Sequence, residues 1–306
     1  MKQKTASVCI VTAGILWGLI ALFVRKLNAN GFESMDIVIL RSMGAMILMF
    51  FGLLFYDRSL FRIRLKDWWC FAGTGILSLT FFNWCYFKTI VLSSLSVASI
   101  LLYTAPAIVV VLSAFLFHEK LTVKKVVCLL IAFGGCVLVT GVLEEGGSSL
   151  PVKSILIGLG AGLGYALYSI FGRYAIERGY SSFTISFYTF LFSTIGTLPL
   201  VKTGNIVKRI MNTDTVADLL LIGGLALIST VLPYLLYTLG LTHVENGKAS
   251  IMASIEPVVA TTLGIAVFGE TLSALGLLGI ILVLGSVVAL NCTLYIEETH
   301  GIGTRK

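Results

Sequence analysis

The 306 residues are 57% hydrophobic and only 12% charged, with mean hydropathy +0.98, a formal charge of +7 and a pI near 9.1. A soluble protein carries roughly a quarter charged residues, so a water-soluble fold is excluded and lipid is the expected solvent. The basic balance reads as membrane topology and not as a nucleic-acid surface, because the lysines and arginines sort unequally between the two sides of a bilayer.

A spanning helix needs about 20 mostly apolar residues. Ten runs qualify: 6–24, 37–56, 68–90, 96–117, 126–143, 154–172, 182–201, 216–240, 248–268 and 273–295. Lys2 and Lys4 precede the first run, which continues to Val24 without a small-residue cleavage site. It therefore reads as an uncleaved span and not as a signal peptide. This span carries Gly14, Trp17 and Gly18. Span two carries Arg41 about a turn inside the membrane, where it snorkels outward or serves as counter-charge to Glu256 or a substrate carboxylate. Span three holds Asn83, Trp84 and Tyr86, with Lys88 at its outer end. Span four holds Tyr103 and Pro106 and ends at Glu119, with Thr122 as N-cap of span five. Span six carries Gly158, Gly160, Gly162, Gly164, Tyr165 and Tyr168. Span eight carries Tyr234 and Tyr237. Span nine carries Glu256 and Pro257 and ends at Glu270, with Ser273 as N-cap of span ten.

With the N-terminus inside, fourteen lysines and arginines fall on the cytoplasmic side, seven outside, and Arg41 lies within a span. That is the positive-inside bias. Both termini are expected to be cytoplasmic, the loop near Ser148 outside, and the protein multi-pass in the plasma (inner) membrane.

The chain repeats itself. Tyr86, Ala98-Ser99-Ile100, Pro106, Phe117, Glu119, Leu121 and Gly134 recur 151 residues later. Their mates are Tyr237, Ala249-Ser250-Ile251, Pro257, Phe268, Glu270, Leu272 and Gly285. At an offset of 148, Gly14, Trp17, Phe23, Arg25 and Gly31 meet Gly162, Tyr165, Phe171, Arg173 and Gly179. Matches at Pro, Glu, Tyr and Ser point to duplication, and internal repeats set architecture before local reading does. The expected fold is all-α and integral to the membrane, with ten transmembrane helices as two five-helix repeats. These are residues 1–143 and 154–295, followed by a cytoplasmic tail, 296–306. Five is odd, so the second repeat is inserted upside down, as in many carriers that work by alternating access.

Pro106 and Pro257 fall near the middle of their spans, where a proline bends a helix and frees a carbonyl. They read as bends lining a path or as packing kinks. Glu119 and Glu270 read as helix-end carboxylates that satisfy backbone N–H groups, with a coupling role as the alternative. Glu256 is the deepest carboxylate, and its repeat mate is Ala105. An ionisable group in the membrane interior is a functional hypothesis by default. It binds substrate or carries a proton, or else it fixes packing. Trp17, Asn83, Tyr86, Tyr103, Tyr165, Tyr168, Tyr234 and Tyr237 bring polar tips to mid-span, so with Glu256 they are the expected substrate contacts. The small-residue spacing on spans one and six allows close helix approach.

These features together resemble the drug/metabolite transporter superfamily, specifically its EamA-type members. The resemblance rests on Pro106 with Glu119-Lys120-Leu121-Thr122, on Pro257 with Glu270-Thr271-Leu272-Ser273, and on Glu256-Pro257-Val258. It also rests on Gly14, Trp17 and Gly18, and on Arg41. The second half departs from the pattern, with Tyr165 opposite Trp17 and Thr189 opposite Arg41. The resemblance implies two five-helix repeats and a carrier of small molecules, often outward: amino acids, related metabolites or toxic compounds.

An enzyme is disfavoured, since Asp36, Asp57, Asp67, Asp214 and Asp218 sit at span ends or in loops and no histidine lies mid-span. The cysteines form no C-x-x-C and read as small core residues, so neither metal nor disulfide is expected. With no P-loop pattern, the expectation is a cofactor-free secondary transporter, with an exporter as the favoured direction. A lipid flippase or scramblase, or a multidrug exporter, is the alternative. The expected partners are a small-molecule substrate and the lipid bilayer, with no nucleic acid, the protein acting as monomer or homodimer.

Overall fold

The computed structural model describes residues 3–140, 151–202, 204, 206 and 215–301, with backbone only for Thr215 and residues 291–301. Lys2, Ser148, Lys208, Arg209, Asp214, Arg305 and Lys306, and the side chains of Cys292 and His300, lie outside the described residues. Among the described residues the chain is helical and contains no strand. The long segments are α1 (Gln3–Ala29), α2 (Ser34–Tyr56), α3 (Leu65–Leu92), α4 (Leu95–Phe117), α5 (Val123–Val139), α6 (Val152–Glu177), α7 (Ser182–Leu200), α8 (Val216–Leu241), α9 (Asn246–Phe268) and α10 (Ala274–Gly301). Among the described residues, α1–α4 and α6–α9 are each long and apolar enough to cross a membrane. α5 starts at Val123, ahead of the expected run, and residues 141–143 of that run lie outside the described residues.

Helix ends fall where side chains can satisfy the first N–H groups. Thr122 Oγ1 accepts from the Lys125 N–H at 3.2 Å, and Ser273 Oγ accepts from Gly276 at 3.0 Å. Ser94 and Ser181 cap Val97 and Thr184 in the same way. Between α2 and α3, the Asp57 carboxylate accepts from the N–H and hydroxyl of Ser59, both at 2.8 Å. These bonds hold it below the usual carboxylate range.

The two prolines do not sit inside continuous helices. α4 stops at Leu102 and restarts at Ala105, and α9 stops at Ala253 and restarts at Glu256. Pro106 and Pro257 each occupy the first turn of the second piece. In a first turn the N–H has no intrahelical partner anyway, so proline fits there without loss. The expectation of a mid-helix bend is thereby corrected: each span is two helices joined by a turn. Two features have no sequence signature. π-Helical turns interrupt α3 at Gly73–Thr80 and α8 at Leu227–Val231. Such turns widen a helix locally and cluster at functional sites.

Glycines set the closest crossings. A Cβ on Gly135 of α5 would lie 2.8 Å from the Gly279 carbonyl oxygen of α10, and the reverse approach is 2.6 Å. Gly240 of α8 meets the Ala6 carbonyl of α1, and Gly164 of α6 meets the Phe82 backbone of α3. Most telling are α1 and α6. Gly14 and Gly18 lie against Ala253, Ile255 and Glu256, at the break in α9. Gly158 and Gly162 lie against Leu101 and Thr104, at the break in α4. Each break is therefore braced by a glycine face from a helix far away in sequence. Phe55, Phe115, Leu130 and Ile281 are exposed, as a lipid-facing surface requires.

Candidate functional site

The site forms around the α9 break. Because the helix restarts at Glu256, this carboxylate stands at the N-terminus of a half-helix, where backbone dipoles favour negative charge. Tyr165 of α6 donates its hydroxyl to Glu256 Oε2 at 3.1 Å. Tyr165 is also the common wall of two hollows. One is lined by Trp17, Ser78, Leu79, Phe82, Tyr165, Tyr168, Ser169, Tyr234 and Tyr237. The other is lined by Leu102, Tyr103, Ala105, Pro106, Tyr165, Ser250, Ala253, Ser254 and Glu256. The α4 and α9 breaks thus face one space.

Trp17 organises the aromatic wall. Its ring centroid is 5.2 Å from those of Tyr234 and Tyr237 and 6.1 Å from Tyr165. Tyr168 packs edge-on to Tyr234 at 4.9 Å. Two of the hydroxyls have partners in the wall: Tyr168 bonds Thr238 at 2.7 Å and Tyr237 bonds Ser169 at 2.8 Å. The hollow is therefore walled mainly by aromatic rings, a lining that suits an aromatic or cationic guest. Trp17 Nε1 is buried without a protein partner. A buried donor in that state asks for a ligand or water.

Arg41 corrects an expectation. It does not snorkel: it is 6% exposed, lies against the Tyr234 hydroxyl within electrostatic reach of Glu256, and leaves Nε unpartnered. Its polar neighbours, Tyr234 and Glu256, lie inward, within the bundle.

Most of the expected contacts meet at these hollows: Trp17, Tyr103, Tyr165, Tyr168, Tyr234, Tyr237 and Glu256, with Pro106 shaping the second. Asn83 and Tyr86 line neither. Asn83 donates to the Leu79 carbonyl of its own helix at 2.7 Å, next to the α3 π-turn. Tyr86 bonds Ser99 across α3 and α4 at 3.2 Å. Trp84 is 41% exposed and faces outward. Sequence reasoning missed Ser78, Phe82, Ser169, Ser250 and Ser254. Ser250 had a signal, since it repeats Ser99, whereas Ser78 enters through a π-turn that no pattern announces, and Phe82 follows just after it.

The helix-end glutamates behave differently from one another. Glu119 is almost buried and accepts from the N–H groups of Asn246 and Gly247 at 2.7 and 3.1 Å. It therefore caps α9 and not the helix that follows it. Lys125, 1% exposed, bridges Glu119 at 3.4 Å and Glu245 at 2.9 Å. Arg173 donates to Asn246 Oδ1 at 3.0 Å and to the Val244 carbonyl at 2.6 Å. Glu270 instead pairs with Arg25 at 2.5 Å, both about half exposed, with the guanidinium 4.7 Å from the Phe268 ring centre. Among the described residues, Ala105–Phe117 packs along Asn246–Ala253, whereas Leu95–Leu102 and Glu256–Phe268 make no comparable contact. α4 and α9 therefore meet at the Glu119 end and part at the Glu270 end.

A multi-pass helical bundle with a polar, aromatic-walled hollow between two broken helices is the architecture of a membrane carrier. The chain belongs to the EamA-like transporter family, whose pattern matches residues 4–141 and again 152–292. An uncharacterized transporter of Archaeoglobus fulgidus is 28% identical over 293 residues, covering 94% of this chain and 96% of that one. The uncharacterized transporter YxxF of Bacillus subtilis is 26% identical over 295 residues, covering 92% and 88%. A solved crystal structure superposes with a TM-score of 0.75 at 18% identity, over 95% of this chain and 98% of that one. That last likeness speaks for the fold alone.

Proposed function

We propose that this protein is a secondary transporter, working as an exporter of small metabolites such as amino acids or related compounds. It works by alternating access between two inverted five-helix repeats, 1–143 and 154–295, that make ten spans with both termini in the cytoplasm of the plasma membrane. The observation that carries the reading is Glu256 at the head of a half-helix, hydrogen-bonded to Tyr165 and sharing its hollow with the α4 break. A carboxylate and the Tyr103 and Tyr165 rings line one hollow, and a lining of that kind suits a guest that carries an ammonium group.

Local geometry supports the duplication. Left-handed residues recur at matching places: His118 (φ 55°) with Gly269 (φ 67°), and Gly31 (φ 86°) with Gly179 (φ 85°). Purified protein in proteoliposomes tests the reading. Saturable, competable flux of amino acids or related amines supports a carrier, whereas ohmic single-channel current or lipid scrambling without solute flux overturns it.

A further inference from the structure

We propose that Glu119 and Glu270 are alternating latches, each closing one end of the path by capping the first turn of the broken helix in the opposite half. The inference rests on the alternating-access reading. In this structure Glu119 is engaged: its carboxylate takes the N–H groups of Asn246 and Gly247, and the halves are packed together at that end. Counting back 151 residues, the same relation would join Glu270 to the N–H groups of Leu95 and Ser96, at the start of α4. Among the described residues Glu270 makes neither of those bonds. Glu270 is turned aside onto Arg25, half exposed, at the end where α4 and α9 stand apart.

The arginines complete the exchange. Arg25 and Arg173 are repeat mates. At the packed end Arg173 grips the first turn of α9 through Asn246 Oδ1 and the Val244 carbonyl. At the parted end Arg25 holds the idle glutamate. In the opposite state the roles swap: Glu270 caps α4, Arg25 follows it onto that turn, and Glu119 falls back onto Arg173. Both glutamates are aimed by the same device, a left-handed residue directly before them, His118 or Gly269. A carboxylate on two helix N-terminal N–H groups is a strong, oriented contact. Only one end can hold it at a time, since opening one end closes the other.

Hydrogen exchange read by mass spectrometry on the full-length protein in nanodiscs tests this, with wild-type solute flux measured on the same preparation. Glu119→Gln is expected to speed exchange at 246–253 by about fivefold, the size of a lost cap, and to slow exchange at 95–102. Glu270→Gln is expected to do the reverse. A merely structural cap would change 246–253 alone. Loss of protection at 246–253 with 95–102 unchanged, or no change at either segment in Glu270→Gln, overturns the latch. Should Glu119→Gln unfold, Glu270→Gln decides by itself, because its site is half exposed. Flux in the wild type with no reciprocal exchange sinks the latch and leaves the carrier reading standing, whereas absence of flux strikes the carrier reading itself.

Discussion

Replacing Glu256 by glutamine separates charge from shape at the centre of the site. The amide keeps an acceptor for the Tyr165 hydroxyl, which lies 3.1 Å from the carboxylate. The fold therefore loses only the difference between a charge-assisted and a neutral hydrogen bond, about 1 kcal/mol, or about 2–4 °C in melting temperature for a chain of this order of size. The effect on transport is larger. If the carboxylate holds a cationic group of the substrate, removing one partner of a buried charge pair costs about 2–5 kcal/mol. At about 1.4 kcal/mol per tenfold, the half-saturating concentration rises about 30-fold or more, with the pH profile otherwise kept. If the carboxylate carries a coupling proton, the wild type changes rate across a pH window that the glutamine variant ignores. If it only fixes packing, glutamine is nearly silent and Glu256→Ala lowers the melting temperature by leaving the Tyr165 hydroxyl unpaired. Proteoliposome flux at several pH values on both variants chooses among these. Wild-type rate, affinity and pH dependence in Glu256→Gln would falsify any substrate or proton role.

Gly18→Ala places a methyl 2.6 Å from Val259 Cβ and 2.9 Å from the Glu256 carbonyl. Because backbone cannot yield, the expected cost is about 1–3 kcal/mol of overpacking together with slower flux. A variant with unchanged melting temperature and flux would mean that the α1 face and the α9 break are not in close contact. Topology is tested by cysteine labelling: a cysteine replacing Arg62 should react only from inside, and one at Ser148 from outside. The opposite result at either site overturns the inverted arrangement.

Much of this was legible because lipid leaves few options. Long apolar runs must be helices, and a proline in two matched places marked where α4 and α9 depart from regularity. The exact form of the departure was not legible. Pattern alone does not distinguish a proline that bends a helix from one that opens the next, and only the turns at Tyr103-Thr104 and Ser254-Ile255 decide it. The π-turns were invisible for the same reason, since one extra residue in an all-apolar helix leaves no change in composition. Arg41 was misjudged because depth alone favours snorkelling, and its inward partners, Tyr234 and Glu256, come from the other end of the chain. Glu119 was read as a helix-end carboxylate, but which helix it caps is a tertiary fact.

The glycine faces explain how a broken helix is accommodated within a membrane span. A turn in the middle of a membrane span exposes peptide groups that lipid will not solvate. Gly14 and Gly18 bring the α1 backbone against the α9 break, and Gly158 and Gly162 bring α6 against the α4 break, so both turns are sheltered by protein and not by lipid. Glycine has no side chain to interlock, so such a face holds its partner by proximity and resists sliding less than a leucine seam would. The shelter joins a helix of each half to the break in the other. Under the alternating-access reading, rocking about these faces would move the second pieces of α4 and α9 without unwrapping their turns, and Glu256, at the head of one such piece, would move with it.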